Sequence, residues 1–147
     1  MLKNLIIVFF MSYATVWGAD CVHTETELKC VEYLKNYDGD TLTINIPNAP
    51  AFFAKKAKVR INGIDSPEMR THNGCEKKMA KLAKSFVEER LKHAKRIDLK
   101  NIGHDKYFRI LASVIYDGKN LGNELLAAKL AVPYEGKKKA KVDWCSR

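Results

Sequence analysis

At Cys75 the hydrophobic period of the chain changes, and that change limits what the chain can fold into. Upstream, apolar residues alternate. Leu42, Ile44 and Ile46 share one face, with Thr41, Thr43 and Asn45 on the other. Val59, Ile61 and Gly63 alternate with Arg60, Asn62 and Ile64. A period of two is that of a pleated strand. Downstream, Met79, Leu82, Ala83, Phe86, Val87 and Leu91 recur at helical spacing and predict one inward stripe. The other side carries Lys77, Lys78, Lys81, Lys84, Glu88 and Lys92, which reads as the solvated face of a core-packing helix.

The remaining elements follow from turn and breaker residues. Leu28 to Lys35 reads as a first strand, and Asp38-Gly39 within Tyr37–Asp40 is a hairpin signal. Pro47 to Pro50 marks a loop, Phe52 to Val59 leads into the central strand, and Ser66-Pro67 ends it because proline cannot donate to a ladder. Arg96–Lys100 and Tyr107–Tyr116 read as a fourth and a fifth strand, Leu121–Leu130 as a second helix broken before Pro133. The expectation is an α+β fold, mainly β: a five-stranded barrel of the oligonucleotide-binding type (OB-fold) with two to three packed helices. With 147 residues and no repeat, one domain over residues 20–147 accounts for the chain after a leader.

The leader is read from residues 1–19. Lys3 precedes the apolar run Leu5–Met11, then small and polar residues reach Gly18-Ala19. That is the form of a cleavable signal peptide, with cleavage after Gly18 or Ala19, and it implies an exported protein, periplasmic or secreted. Cys21, Cys30, Cys75 and Cys145 all follow it. An even count in an exported chain suggests two disulfides, and four cysteines allow three connectivities. The favoured one closes the short Cys21–Cys30 loop and leaves Cys75–Cys145 to tie the C-terminus to the body. A net charge of +9 favours a polyanionic partner, most simply nucleic acid. Charge alone describes a basic membrane-surface protein or a merely soluble one equally well.

Ionisable residues gather at turns and strand ends: Asp38 and Asp40 in the first hairpin, Arg60 on the central strand, Asp65 and Glu68 at its exit, Arg109 on the fifth strand. Carboxylates suit a hard cation, forked guanidinium donors suit phosphate, and a spare glutamate suits proton transfer. Each has a plainer role, Asp38 as a turn-former above all, but together they would suit a phosphodiesterase.

Four blocks carry a resemblance: Tyr37–Leu42, Val59–Glu68, Asp105–Arg109, and Asp117–Lys119 with Asn123-Glu124. In their order and spacing they resemble the staphylococcal nuclease (thermonuclease) family over about Val31–Tyr134. The resemblance implies that family's five-stranded barrel and a calcium-dependent nuclease cleaving DNA and RNA to 3′-phosphates. It implies Asp40 and Asp65 as Ca2+ ligands, with the Ser66 backbone carbonyl as a third. It implies Glu68 as general base or organiser of the attacking water, and Arg60 and Arg109 on the phosphate. Lys106 and Tyr107 resemble residues near a terminal phosphate. The expected partners are DNA and RNA alone, with no stable protein partner, no membrane after signal cleavage, and a monomeric state.

Three departures stand out. Phe108 replaces the glycine usual before the second arginine, Gly122 is an extra residue before Asn123-Glu124, and the chain ends soon after Tyr134 with a cysteine near its end. The alternative reading is a non-catalytic OB-fold module that only binds nucleic acid. Such a copy should lack some of Asp40, Arg60, Asp65, Glu68 and Arg109, and all five are present.

Overall fold

A computed structural model describes residues 21–147. The expected signal segment, residues 1–19, lies outside the described residues. In chain order the elements are β1 (Glu27–Leu28), β2 (Glu32–Asn36), β3 (Thr41–Asn45), α1 (Ala51–Ala54), β4 (Ala57–Ile61), β5 (Ile64–Asp65), α2 (Gly74–His93), β6 (Ile97–His104), β7 (Ile110–Tyr116), β8 (Lys119–Asn120), α3 (Leu121–Ala127) and β9 (Val132–Pro133).

The main sheet runs β1-β6-β7-β4-β3-β2, with β8 on β7, and β5 pairs separately with β9. β2, β3 and β4 form the expected antiparallel meander. β4 then lies parallel to β7, Arg60 opposite Leu111. No ladder joins β2 to β6 among the described residues, but the Val31 N–H donates to the Ile97 carbonyl at 2.9 Å and the Cys30 N–H to Asp98 at 2.8 Å, so the sheet curls far enough for the segment leading into β2 to reach β6 without a closed ladder. The fold is α+β, mainly β, and OB-like. Its core joins Leu42, Ile44, Val59, Ile61, Leu99 and Val114 of the sheet to Ala83, Val87 and Leu91 of α2 and Leu121 and Leu125 of α3.

Local chemistry sets the helix ends. The Asn73 side chain accepts from the Cys75 and Glu76 N–H groups at the start of α2, and Asn120 accepts from Asn123 at the start of α3. α3 stops at Ala127, short of the expected Leu130. Lys129 turns left-handed (φ 56°), while Lys129 N–H reaches the Leu126 carbonyl and Leu130 N–H the Leu125 carbonyl. That double bond pattern ends a helix by satisfying its last carbonyls. Tyr116 and Arg90 both hydrogen-bond Glu124, which ties α2, α3 and β7 together.

Several expected boundaries move. The strand Leu28–Lys35 breaks at Cys30, which is left-handed (φ 54°) and bonded to Cys21. Phe52–Val59 opens with the short helix α1 rather than extended chain, and both phenylalanines are exposed. The central strand stops at Ile61 because Gly63 takes φ 80°. On α2 the buried residues are Ala80, Ala83, Val87 and Leu91, whereas Leu82 is exposed. The helix sits so close to the first hairpin that only small residues fit. A Cβ on Gly39 would stand 2.8 Å from Ala83 Cβ and 2.8 Å from Ser66 Cβ. The second disulfide is Cys75–Cys145, as expected, and beside it Trp144 is buried.

Candidate active site

The β3–β4 register places Thr41 opposite Arg60, and the Ile61 N–H donates to the Asp40 carbonyl at 2.9 Å. Asp40, at the entry to β3, therefore stands beside Arg60. One arm of the Arg60 guanidinium pairs with Asp40 Oδ2, and the other lies 3.0 Å from Asp65 Oδ1. The Ser66 N–H donates to Asp40 Oδ2 at 2.6 Å. Asp40, Arg60 and Ser66 are all buried. The hairpin and the strand exit are thus stitched by a carboxylate–guanidinium–carboxylate triad with little access to water.

Asp38 is a second buried carboxylate in the same hairpin. Its Oδ1 accepts from the Asp40 N–H at 3.1 Å and the Thr41 N–H at 2.8 Å, shaping the turn. Burial, and then the neighbouring Asp40 charge, push its carboxyl up to about 6. Gly39, read from sequence as a hairpin turn-former, has no positive φ; its missing side chain serves the close approach to α2 and Ser66.

Arg109 arrives by a different route. It is not on the fifth strand but in the loop before β7, whose first residue is Ile110. The loop closes through Asp105 N–H to the Arg109 carbonyl at 3.2 Å and Phe108 N–H to the Asp105 carbonyl at 3.1 Å. The Asp105 carboxylate accepts the Tyr107 and Arg109 N–H groups, and Arg109 Nε lies 2.6 Å from its Oδ2. Desolvation would raise that carboxyl, but the bonds from Arg109 and Tyr107 and the Arg109 charge hold it below the usual range. Arg109 also reaches Thr41 Oγ1 at 3.4 Å, next to Asp40. The Tyr107 ring has the Lys106 ammonium at 5.1 Å and the Arg109 guanidinium at 5.6 Å from its centre.

A cleft of about 830 Å³ joins these groups. Asp40, Arg60, Glu68, Lys106, Tyr107 and Arg109 all line it. Asp65 and Ser66 do not. Asp65 meets the cleft through Arg60 and through Lys139, whose ammonium lies 2.9 Å from Asp65 Oδ1 and 2.5 Å from Glu68 Oε1. Desolvation would lower the Lys139 pKa, but its bonds to Glu68 and Asp65 and their charges raise it. Lys139 is a site residue that sequence reasoning missed. A signal was present: Cys145 bonded to Cys75 must bring the tail back to the start of α2, a few residues after Glu68. Tyr134 was missed too. It stands 5.9 Å beneath Arg60 and donates its hydroxyl to the Lys137 carbonyl at 2.8 Å, holding the tail along the cleft.

Among the described residues no three His, Cys, Asp or Glu side chains gather in a ligating arrangement. The expected ligands, the Asp40 and Asp65 carboxylates and the Ser66 carbonyl, are nonetheless all oxygen donors, with the Arg60 guanidinium lying between the two carboxylates. Calcium completes its shell with backbone carbonyls and water, so a pair of aspartates suffices to anchor it and the donor set fits.

The family model described as staphylococcal nuclease homologue matches residues 58–144. That is more than half of the 147 residues, and the chain belongs to this family. No curated protein matches it. The match starts inside β4, so Asp38 and Asp40 enter the site from outside the matched segment, through the β3–β4 pairing.

Proposed function

We propose that this protein is an exported, calcium-dependent nuclease that hydrolyses phosphodiester bonds of DNA and RNA with little sequence preference, leaving 3′-phosphates. The observation that carries the reading is the convergence of Asp40, Arg60, Glu68 and Arg109 on one cleft from three separate parts of the chain. Family membership supports a nucleic-acid substrate in general.

In this reading Asp40 and Asp65, with the Ser66 carbonyl, hold the calcium ion, which supplies a Lewis-acid contact to a phosphate oxygen when bound. Glu68, half-exposed at the cleft edge, orients the attacking water and takes its proton. The Arg60 and Arg109 guanidiniums face charge that develops on the phosphate oxygens. Lys106 and Tyr107 steady a flanking phosphate. All these contacts address the backbone of the nucleic acid, which is why base sequence matters little. The N-terminal apolar run and the two disulfides support an exported, oxidising location, with the domain beginning after the leader, and the protein acts as a monomer.

The test is a plasmid digest in calcium and in chelator, with Glu68→Gln as control. Cleavage in calcium that falls by about 10²–10³-fold in the variant is the expected result. Equal digestion by wild type and Glu68→Gln overturns the assignment. One observation favours a second reading, a binding module without catalysis: Lys139 already occupies both Asp65 and Glu68. Binding of plasmid with no cleavage in calcium would select it.

A further inference from the structure

The loop between β6 and β7 contains a side chain that folding does not explain. Phe108 has φ 59° and is 97% exposed. Its loop has the hydrogen bonds of a short hairpin whose last residue turns left-handed, a place where glycine is the usual choice. An L-residue there is strained, because its Cβ crowds the neighbouring carbonyl oxygen. A phenylalanine left in water recovers none of the stabilisation that burying it would bring. The other exposed phenylalanines, Phe52 and Phe53, at least pack edge to face at 5.9 Å. Tyr107 carries the two neighbouring cations on its ring, and no described aromatic ring or cation lies on Phe108.

Phe108 follows Tyr107 and precedes Arg109 in the chain, both of which line the cleft; its own ring stands outside that lining, in solvent on the same loop. A free aromatic face on the same short loop as two cations, Lys106 and Arg109, matches one kind of ligand, a nucleotide with an unstacked base: the phosphate goes to the cations and the base to the ring. We propose that Phe108 is a stacking platform for an unpaired nucleobase flanking the bound phosphates. A duplex keeps its bases stacked on one another and offers this ring no face. The proposal rests on the phosphate-binding part of the functional reading but not on catalysis.

The experiment is fluorescence anisotropy of the full-length exported chain in chelator, so that nothing is cut. Three labelled probes of equal length are used: a deoxythymidine strand, the same strand with abasic sites throughout, and a duplex. Phe108→Ala should lose about 5- to 100-fold in affinity for the deoxythymidine strand, the range of one lost base–aromatic stack. It should bind the abasic strand and the duplex as wild type does. Phe108→Trp should keep wild-type affinity for the deoxythymidine strand, and Phe52→Ala, equally exposed but on α1 rather than the cleft loop, should change nothing. Phe108→Gly relieves the backbone strain and removes the ring; it should bind like Phe108→Ala while melting higher than wild type. If Phe108→Gly keeps wild-type affinity, or if Phe108→Ala weakens all three probes alike, the platform is overturned. Failure of the nuclease reading shows separately, as intact plasmid in the calcium digest.

Discussion

Arg60 and Arg109 bring the same guanidinium to one cleft from contrasting surroundings. Arg60 is on a central strand, 9% exposed in its side chain, and divided between two carboxylates that come from other segments. Arg109 is on a hairpin loop, 28% exposed, and held by Asp105 of that same loop. The first is part of what joins β3, β4 and the strand exit. The second belongs to a local turn that could change without disturbing the core. A buried charge is costly unless paired, so the fold depends on Arg60 and its carboxylates together. A more exposed pair contributes little, so the fold depends far less on Arg109 than on Arg60.

The contrast breaks most directly at Arg60. Arg60→Ala leaves Asp40 and Asp65 buried without their partner and should cost about 3–5 kcal/mol of stability in urea unfolding. A midpoint equal to wild type would show that the triad is not structural. Arg109→Ala should do the reverse. Its stability in urea should stay within about 1 kcal/mol of wild type, while calcium-dependent cleavage falls by about 10²–10³-fold. Because Arg60 variants mix folding with activity, the Arg109 variant is the cleaner probe of the chemistry.

Asp38 sharpens the comparison by its pH dependence. Its carboxyl is raised from an ordinary 3.8 to about 6 in the folded protein by burial and by Asp40. A raised folded pKa means that the folded state binds the proton more tightly. The stability it contributes is therefore present below about 3.8 and lost as pH rises through about 6. In chelator, wild type should lose stability relative to Asp38→Asn across that window, by up to a few kcal/mol at about 1.4 kcal/mol per pKa unit. Asparagine Oδ1 can still accept from the Asp40 and Thr41 N–H groups. Urea unfolding of both proteins from acid to neutral pH measures the difference, and a difference that stays flat would mean Asp38 ionises like a free carboxylate.

The smallest expected effect is at Lys139. It is half-exposed, and its ammonium shares Asp65 with any cation bound there. Lys139→Met should tighten calcium binding roughly two- to fivefold by calorimetry, the scale of an exposed ion pair. Unchanged or weaker binding would show that the tail does not compete for the carboxylate.

Much of the molecule is legible in its sequence. The alternation around Leu42–Ile46 and Val59–Ile61 and the helical spacing after Cys75 depend on contacts two to four residues away, so sequence carries them directly. The acidic and basic residues of the site are legible as chemistry for the same reason: their types and their places at turns are local facts. The α2 face is misjudged at Leu82 because a helical stripe gives a direction only to within a residue. Which residues of the stripe go inward depends on contacts across the fold, such as the close approach of Ala83 to Gly39.

Arg109 reads as a strand residue because Tyr107–Tyr116 is apolar enough to pass for one run. The loop is instead held by Asp105, whose carboxylate gathers the Tyr107 and Arg109 N–H groups. The sequence by itself determined most of the elements, their likeness to one family and the identity of the charged groups. Only the tertiary structure decided which charges meet. The bond from Ser66 to Asp40 spans 26 positions and that from Lys139 to Glu68 spans 71. Over such separations no periodicity survives. The partner of a charge is chosen by strand register, by the Cys75–Cys145 tether, and by the need to leave no buried carboxylate unpaired.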